Sequence, residues 1–372
     1  MNLNIDTKGL NGRLVKNTMT TWLLVMGILL TMMAMSCKED DPEIIDNMKP
    51  GKRDYVWSID SVDYGGKHTT VMIESMWGSS ANDVWGVAGN SPDILDCLWH
   101  YDGIKWTRAT EGTPITEQPG FKVLYAIWGS SKNDVWAVGS KIYRGIMSAF
   151  IMHYDGNQWV DATTNNMLAL PSILYNIYGI SKNNIWVGGY KWALHYNGNL
   201  WEEYLIADSM TVSSITSFKN NIYFSVASPW GKDTFYLYQY NNYNLQIIDL
   251  SSFHRNKFGG KPWVIDSKLY SLSAGIVTTT IDNTGNIDTS NWTKEFSTET
   301  YFSERYIQPE RNIFAVGQWN LVYHFNGTDW KQIEISVPNH RVDPYSLFYG
   351  VWTDGKDVFI CDIENGIIYH GR

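Results

Sequence analysis

Trp128-Gly-Ser-Ser-Lys-Asn-Asp134-Val-Trp136-Ala-Val-Gly139, followed by His153-Tyr-Asp155-Gly156-Asn-Gln-Trp159, is one copy of a unit that recurs along most of the chain. Neighbouring copies begin at Trp77 and Tyr178, 51 and 50 residues away. Their first halves run Trp77 to Trp85, with Asp83, and Tyr178 to Trp186, with Asn184. Their second halves run His100 to Trp106 and His195 to Trp201. A later copy reads Asn312-Ile-Phe-Ala-Val-Gly317 and then His324 to Trp330. In all four copies the His and the Trp stand six positions apart. Weaker copies lie between them. Ser217 to Phe224 and Gln239 to Leu245 form one, with Gln for His and Leu for Trp. Val264 to about Trp292 forms another. A last copy starts at Gly350-Val-Trp352, passes Asp357 and His370, and stops at Arg372 before its Trp.

Each unit reads as four short strands. In the quoted copy, Leu124–Trp128 is a first strand and Ser130–Asp134 a polar turn. Val135–Val138 is β-branched and aromatic, Phe150–Tyr154 follows, Asp155-Gly156 signals a tight hairpin, and Trp159–Asp161 is a fourth strand. Four antiparallel strands every 40–50 residues or so is the pattern of a propeller blade. The expected fold is all-β, a seven-bladed β-propeller of four-stranded antiparallel blades. The blades fall at about 71–107, 121–161, 172–205, 213–250, 261–296, 304–335 and 346–372. The last lacks its fourth strand. Asp54-Tyr-Val-Trp57-Ser-Ile-Asp60 is the expected donor, with Trp57 in the absent Trp position. Such closure removes the open edges that sheets otherwise protect.

The W-G-S-S-x-N-D-V-W-A-V-G … H-Y-D-G-x-x-W pattern resembles repeats common in secreted and lipoprotein bacterial sequences, regarded as propellers of unassigned function. D-G-x-x-W is also similar to the Asp-box of sialidase-like propellers. The upstream Ser and the residue between Asp and Gly are missing, so no sialidase chemistry follows.

The first 36 residues read as a secretory signal. Lys8, Arg13 and Lys16 precede an uncharged run over 18–36, with small residues before Cys37. Ala34-Met-Ser-Cys37 resembles a bacterial lipobox, which implies cleavage before Cys37 and its lipidation. Lys38-Glu-Asp-Asp41 resembles the export signal of surface lipoproteins in the Bacteroidota. Residues 37–53 then form a polar tether and 54–372 a single propeller. The implied location is the outer membrane, at the cell surface or otherwise facing the periplasm, with the membrane as partner through the lipid on Cys37. Cys97 and Cys361 remain, and spacing leaves their pairing open.

A net charge of -9 makes nucleic acid a poor partner. With 15% aromatics and 18 Trp, the rings have a repeated structural task. The chain shows no G-x-S-x-G, H-E-x-x-H, Walker or C-x-x-C motif, so no metal and no cofactor are expected. The recurring Asp83, Asp134 and Asp357 and the recurring His100, His153, His195 and His324 read as blade-building groups. In every blade they stand at equivalent points of a ring and cannot converge on one ion.

Function is sought in what does not repeat. Strands run up and down, so the first-to-second and third-to-fourth hairpins share one face and are constant. The second-to-third loops and blade connections share the other face and vary, which is where a rigid scaffold carries binding. The candidate ligand-binding residues there are Tyr143, Arg144, Trp192, Trp230, Trp319, His254, Arg255 and Arg341. Rings beside amides and charges suit a glycan or an envelope protein. The expected function is non-enzymatic binding by a cell-surface lipoprotein. The alternatives are a polysaccharide hydrolase or lyase using the same face, and a structural subunit of an envelope complex. An enzyme requires buried, converging charges on that face, a binder exposed rings, and a scaffold an apolar patch.

Overall fold

Short alternating segments bounded by Asx and Gly turns favour antiparallel strands, and each repeat folds into one meander. In the computed structural model seven such sheets form a β-propeller. Residues 51–63, 71–89, 94–164, 173–228, 235–248, 261–307 and 312–372 are described. Cys37, Trp230, His254 and Arg255 lie outside them. The innermost strands of blades 1 to 7 are Ser75–Ser80, Phe121–Ser131, Leu174–Ser181, Thr211–Phe218, Lys261–Ile265, Phe302–Ile307 and Phe348–Thr353.

Closure follows the sequence expectation. Trp57–Ile59 pairs antiparallel with Ile367–Gly371 and completes blade 7. Trp57 stands opposite Gly371, the register in which Trp106, Trp159 and Trp201 stand opposite Tyr101, Tyr154 and Tyr196. Gly371 brings no ring, and Tyr55 supplies one instead, 5.7 Å from Phe314 of blade 6. The same segment continues into Val62–Asp63, which adds a parallel fifth strand to blade 1. Between the two stretches sits buried Asp60. It accepts from Trp106 Nε1 at 3.2 Å and lies 3.0 Å from His370 Nδ1. One segment therefore clasps the first blade to the last.

Rings form the core between blades. Trp85 of blade 1 meets Tyr154 and Trp159 of blade 2 at 5.3 and 5.2 Å. Trp136 of blade 2 meets Tyr196 and Trp201 of blade 3 at 5.3 and 5.7 Å. Phe359 of blade 7 meets Tyr101 and Trp106 of blade 1 at 5.0 and 5.8 Å. Large rings bury the most area per residue, so a repeated ring pair is an economical interface. Cys97 and Cys361 are buried in separate core clusters, one between blades 1 and 2, the other between blades 7 and 1, and no disulfide joins them.

Blade 2 is longer than the sequence reading allowed. Residues 140–149 were expected as a loop. They form strand instead, extending Asp134–Tyr143 and Ile146–Tyr154 through the pairs Ser140↔Ala149 to Tyr143↔Ile146. The turn explains it. Arg144 and Gly145 both have positive φ, 52° and 77°, the two-residue geometry that matches strand twist.

Candidate functional site

The recurring Asp and His residues are struts. Asp83 meets His100 at 2.7 Å, Asp134 meets His153 at 2.7 Å, and Asp357 meets His370 at 2.8 Å. Asn184 and Asn312 make the same contact with His195 and His324, and Asn221 makes it with Gln239. Each pair bridges the second and third strands. Burial alone would raise the Asp83 carboxyl, but hydrogen bonds from His100 and Ser79 outweigh it and hold it below the usual range. The His does not pair across the ladder with the fourth-strand Trp, which stands opposite a Tyr. It stacks on the second-strand ring of its own blade, at 4.0 Å in Trp136–His153 and 4.3 Å in Trp186–His195. Cross-strand neighbours on one face are closer than any six-residue spacing across a hairpin. Among the described residues no cluster of His, Cys, Asp or Glu is placed to hold a metal.

On the variable face the clearest concavity is a groove of about 650 Å³ where blade 6 runs into blade 7. Its polar lining is Asn320, Gln332, Glu334, Ser336, His340 and Arg341. Buried Ile333 and Ile335 also line it. Trp319 and Asn320 form the turn between the second and third strands of blade 6, both with positive φ, 58° and 49°. Asn320 N–H donates to Ser346 O at 3.0 Å and holds the turn against the connection to blade 7. Trp319 is 56% exposed beside the groove. The fold thus brings Arg341 to the turn that carries Trp319, two residues that the sequence could only name separately.

The other candidates stand apart from this groove. Tyr143 and Arg144 cap the long hairpin of blade 2, the guanidinium 5.1 Å from the ring. Phe121, Ile142, Tyr143, Ile146 and Met147 are all exposed there, so the tip is apolar. Trp192 opens the third strand of blade 3, opposite Leu205, and is half-buried.

Sequence reasoning missed the central channel. Tyr125, Tyr175, Asn176, Ser213, Ser214 and Lys261, all on innermost strands, help line a cavity of about 540 Å³. Tyr125 and Tyr175 lie with ring centroids 5.4 Å apart, and burial pushes both phenols up. A signal was available: three residues before the repeated Trp128 and Tyr178, both blades carry Tyr where blade 1 carries Glu74.

The variable face also holds buried charges, each engaged. Arg108 pairs with Asp96 at 2.5 Å, and Asp362 accepts from Ser346 at 2.6 Å. Lys122 donates to the carbonyls of Ile115, Gln118 and Gly120 at 3.2, 2.6 and 3.1 Å.

No family model matches the chain, and neither does any curated protein sequence. Solved structures do resemble it. YCF48 bound to a D1 peptide superposes with a TM-score of 0.57 at 15% identity, over 84% of this chain and 99% of that one. The WD40 propeller domain of Doa1 gives 0.55 at 12%, over 88% and 97%. Virginiamycin B lyase from Staphylococcus aureus with quinupristin gives 0.54 at 12%, over 85% and 99%. At such identities the likeness is one of fold: the chain is built as these β-propellers are.

Proposed function

We propose that this protein is a lipid-anchored surface protein of a bacterial outer membrane that binds its ligand without transforming it. The ligand, a glycan or a segment of an envelope protein, lies in the groove between blades 6 and 7. The observation that carries the reading is a polar groove holding Asn320, Glu334 and Arg341, with exposed Trp319 next to Asn320 in the same turn. A ring with convergent amides and charges is the composition of a recognition site. The charges of the same face favour binding over catalysis, because Asp96 and Arg108 pair, Lys122 donates to backbone carbonyls and Asp362 accepts from Ser346. Fold does not choose between the two, since the similar propellers include one with a bound peptide and one lyase. The chain enters the ring at the constant face, where Gly51 N–H donates to Asn326 O and Arg53 pairs with Asp329 at 2.7 Å.

The test is a glycan and envelope-protein screen with the full chain in detergent. Trp319→Ala and Arg341→Ala are each expected to weaken the captured ligand about tenfold, the loss of one good contact, with unchanged melting. Undiminished binding in both variants would sink the groove as the site. A second reading, an assembly subunit, is favoured by the apolar tip of blade 2 and would show as capture of a protein lost in Tyr143→Asp.

A further inference from the structure

We propose that the central channel is a second binding site, for a neutral oligosaccharide gripped by Tyr125 and Tyr175. The inference rests on reading the protein as a binder, but not on the groove between blades 6 and 7. It starts from the strand register. In the innermost strand of blade 2 pairing skips from Leu124 to Ala126, and in blade 3 from Leu174 to Asn176. Tyr125 and Tyr175 are therefore the extra residues of two β-bulges. A bulge takes a side chain out of the ladder and re-aims it, and bulges concentrate beside functional sites. The same skip falls at Ser213 in blade 4. The frame repeats while the residue on it changes, so the blades share the device and differ in what they present.

The rings are seated. A side-chain carbon on Gly89 would stand 2.2 Å from Tyr125 Cδ1, so that ring lies directly on the backbone of blade 1. Tyr175 packs 5.4 Å from it, at an interplanar angle of 44°, and keeps 39% of its surface exposed. Ser75, Asn176, Ser213 and Ser214 also line the cavity. Asn176 is held in place by its donation to Val212 O at 2.6 Å. At about 540 Å³ the space is within the range of small-molecule sites. A pyranose offers one apolar C–H face and a rim of hydroxyls. Paired tyrosines, with serines and an asparagine in the lining, match both parts.

The test titrates the full chain in detergent micelles with cellotetraose, maltotetraose and chitotetraose by calorimetry, with a neutral tetrapeptide as comparison. One tetrasaccharide is expected to bind. Binding should weaken at least about tenfold in Tyr175→Ala, persist in Tyr175→Phe, which keeps the ring, and persist in Trp319→Ala. Ser213→Trp, which fills the cavity without removing a ring, should cause the same loss. Failure of every tetrasaccharide to bind overturns the inference. So does loss in Trp319→Ala but not in Tyr175→Ala, which would move the sugar to the groove and leave the preceding reading standing. Tetrapeptide binding that Tyr175→Ala abolishes would make the channel a protein-segment site and overturn it as well.

Discussion

His324 shows how one repeated pair acquires its own electrostatics. Asn312 Oδ1 faces His324 Nε2, so that nitrogen carries the proton. Nδ1 is buried with no hydrogen-bond partner, and Phe314 stacks on the ring at 4.3 Å. Burial first, then the nearby Arg53 cation, push the imidazole pKa down to about 3. In the unfolded chain the value returns to about 6.5. Protonation therefore favours unfolding. The stability that the neutral ring contributes is complete above about pH 6.5 and falls as pH drops toward 3, by about 1.4 kcal/mol per unit. His324→Gln should remove that part of the slope, because blade 4 already uses Gln239 with Asn221 at 2.8 Å. Urea unfolding of both proteins at pH 7, 6, 5 and 4 reads it, and parallel pH profiles would refute the assignment. The sequence shows that a His recurs. It does not show which copies face Asp and which Asn with enough burial to stay neutral.

At the scale of the element, residues 54–60 do most to close the ring. Trp57 is 4% exposed and packs in the same cluster as Phe314, Val316 and Tyr369. Trp57→Ala should cost roughly 3–5 kcal/mol, as large ring deletions in cores do. Removing 54–60 should abolish the single cooperative transition, because it also unpairs Asp60 from His370 and Trp106. Calorimetry on both variants decides, and a deletion that melts as the full chain does would mean the ring closes by other means. This element was legible because the last repeat ends before its Trp, and a strand with a Trp stood free upstream. The long hairpin of blade 2 was not. Ser140 to Ala149 mixes small, charged and apolar residues without clean alternation, and the Arg144-Gly145 turn closes the ladder that carries the two strands on.

At the scale of the whole molecule the expectation concerns attachment. If the lipid on Cys37 anchors the protein, Cys37→Ser should move it from the membrane to the soluble fraction after cell fractionation, since stable anchoring needs two or more acyl chains. Continued membrane recovery would require another anchor. The repeat by itself determined the class of fold, the number of blades and the closing strand, because blade periodicity, hairpin residues and ring spacing are local properties that recur. The site was decided by tertiary structure alone. Curling seven sheets into a ring set the turn of Trp319 beside Arg341, far apart from Tyr143 in sequence and on a different blade, and two bulges placed Tyr125 and Tyr175 at the channel. No local pattern encodes such convergence, because residues 50 positions apart meet only when neighbouring blades pack.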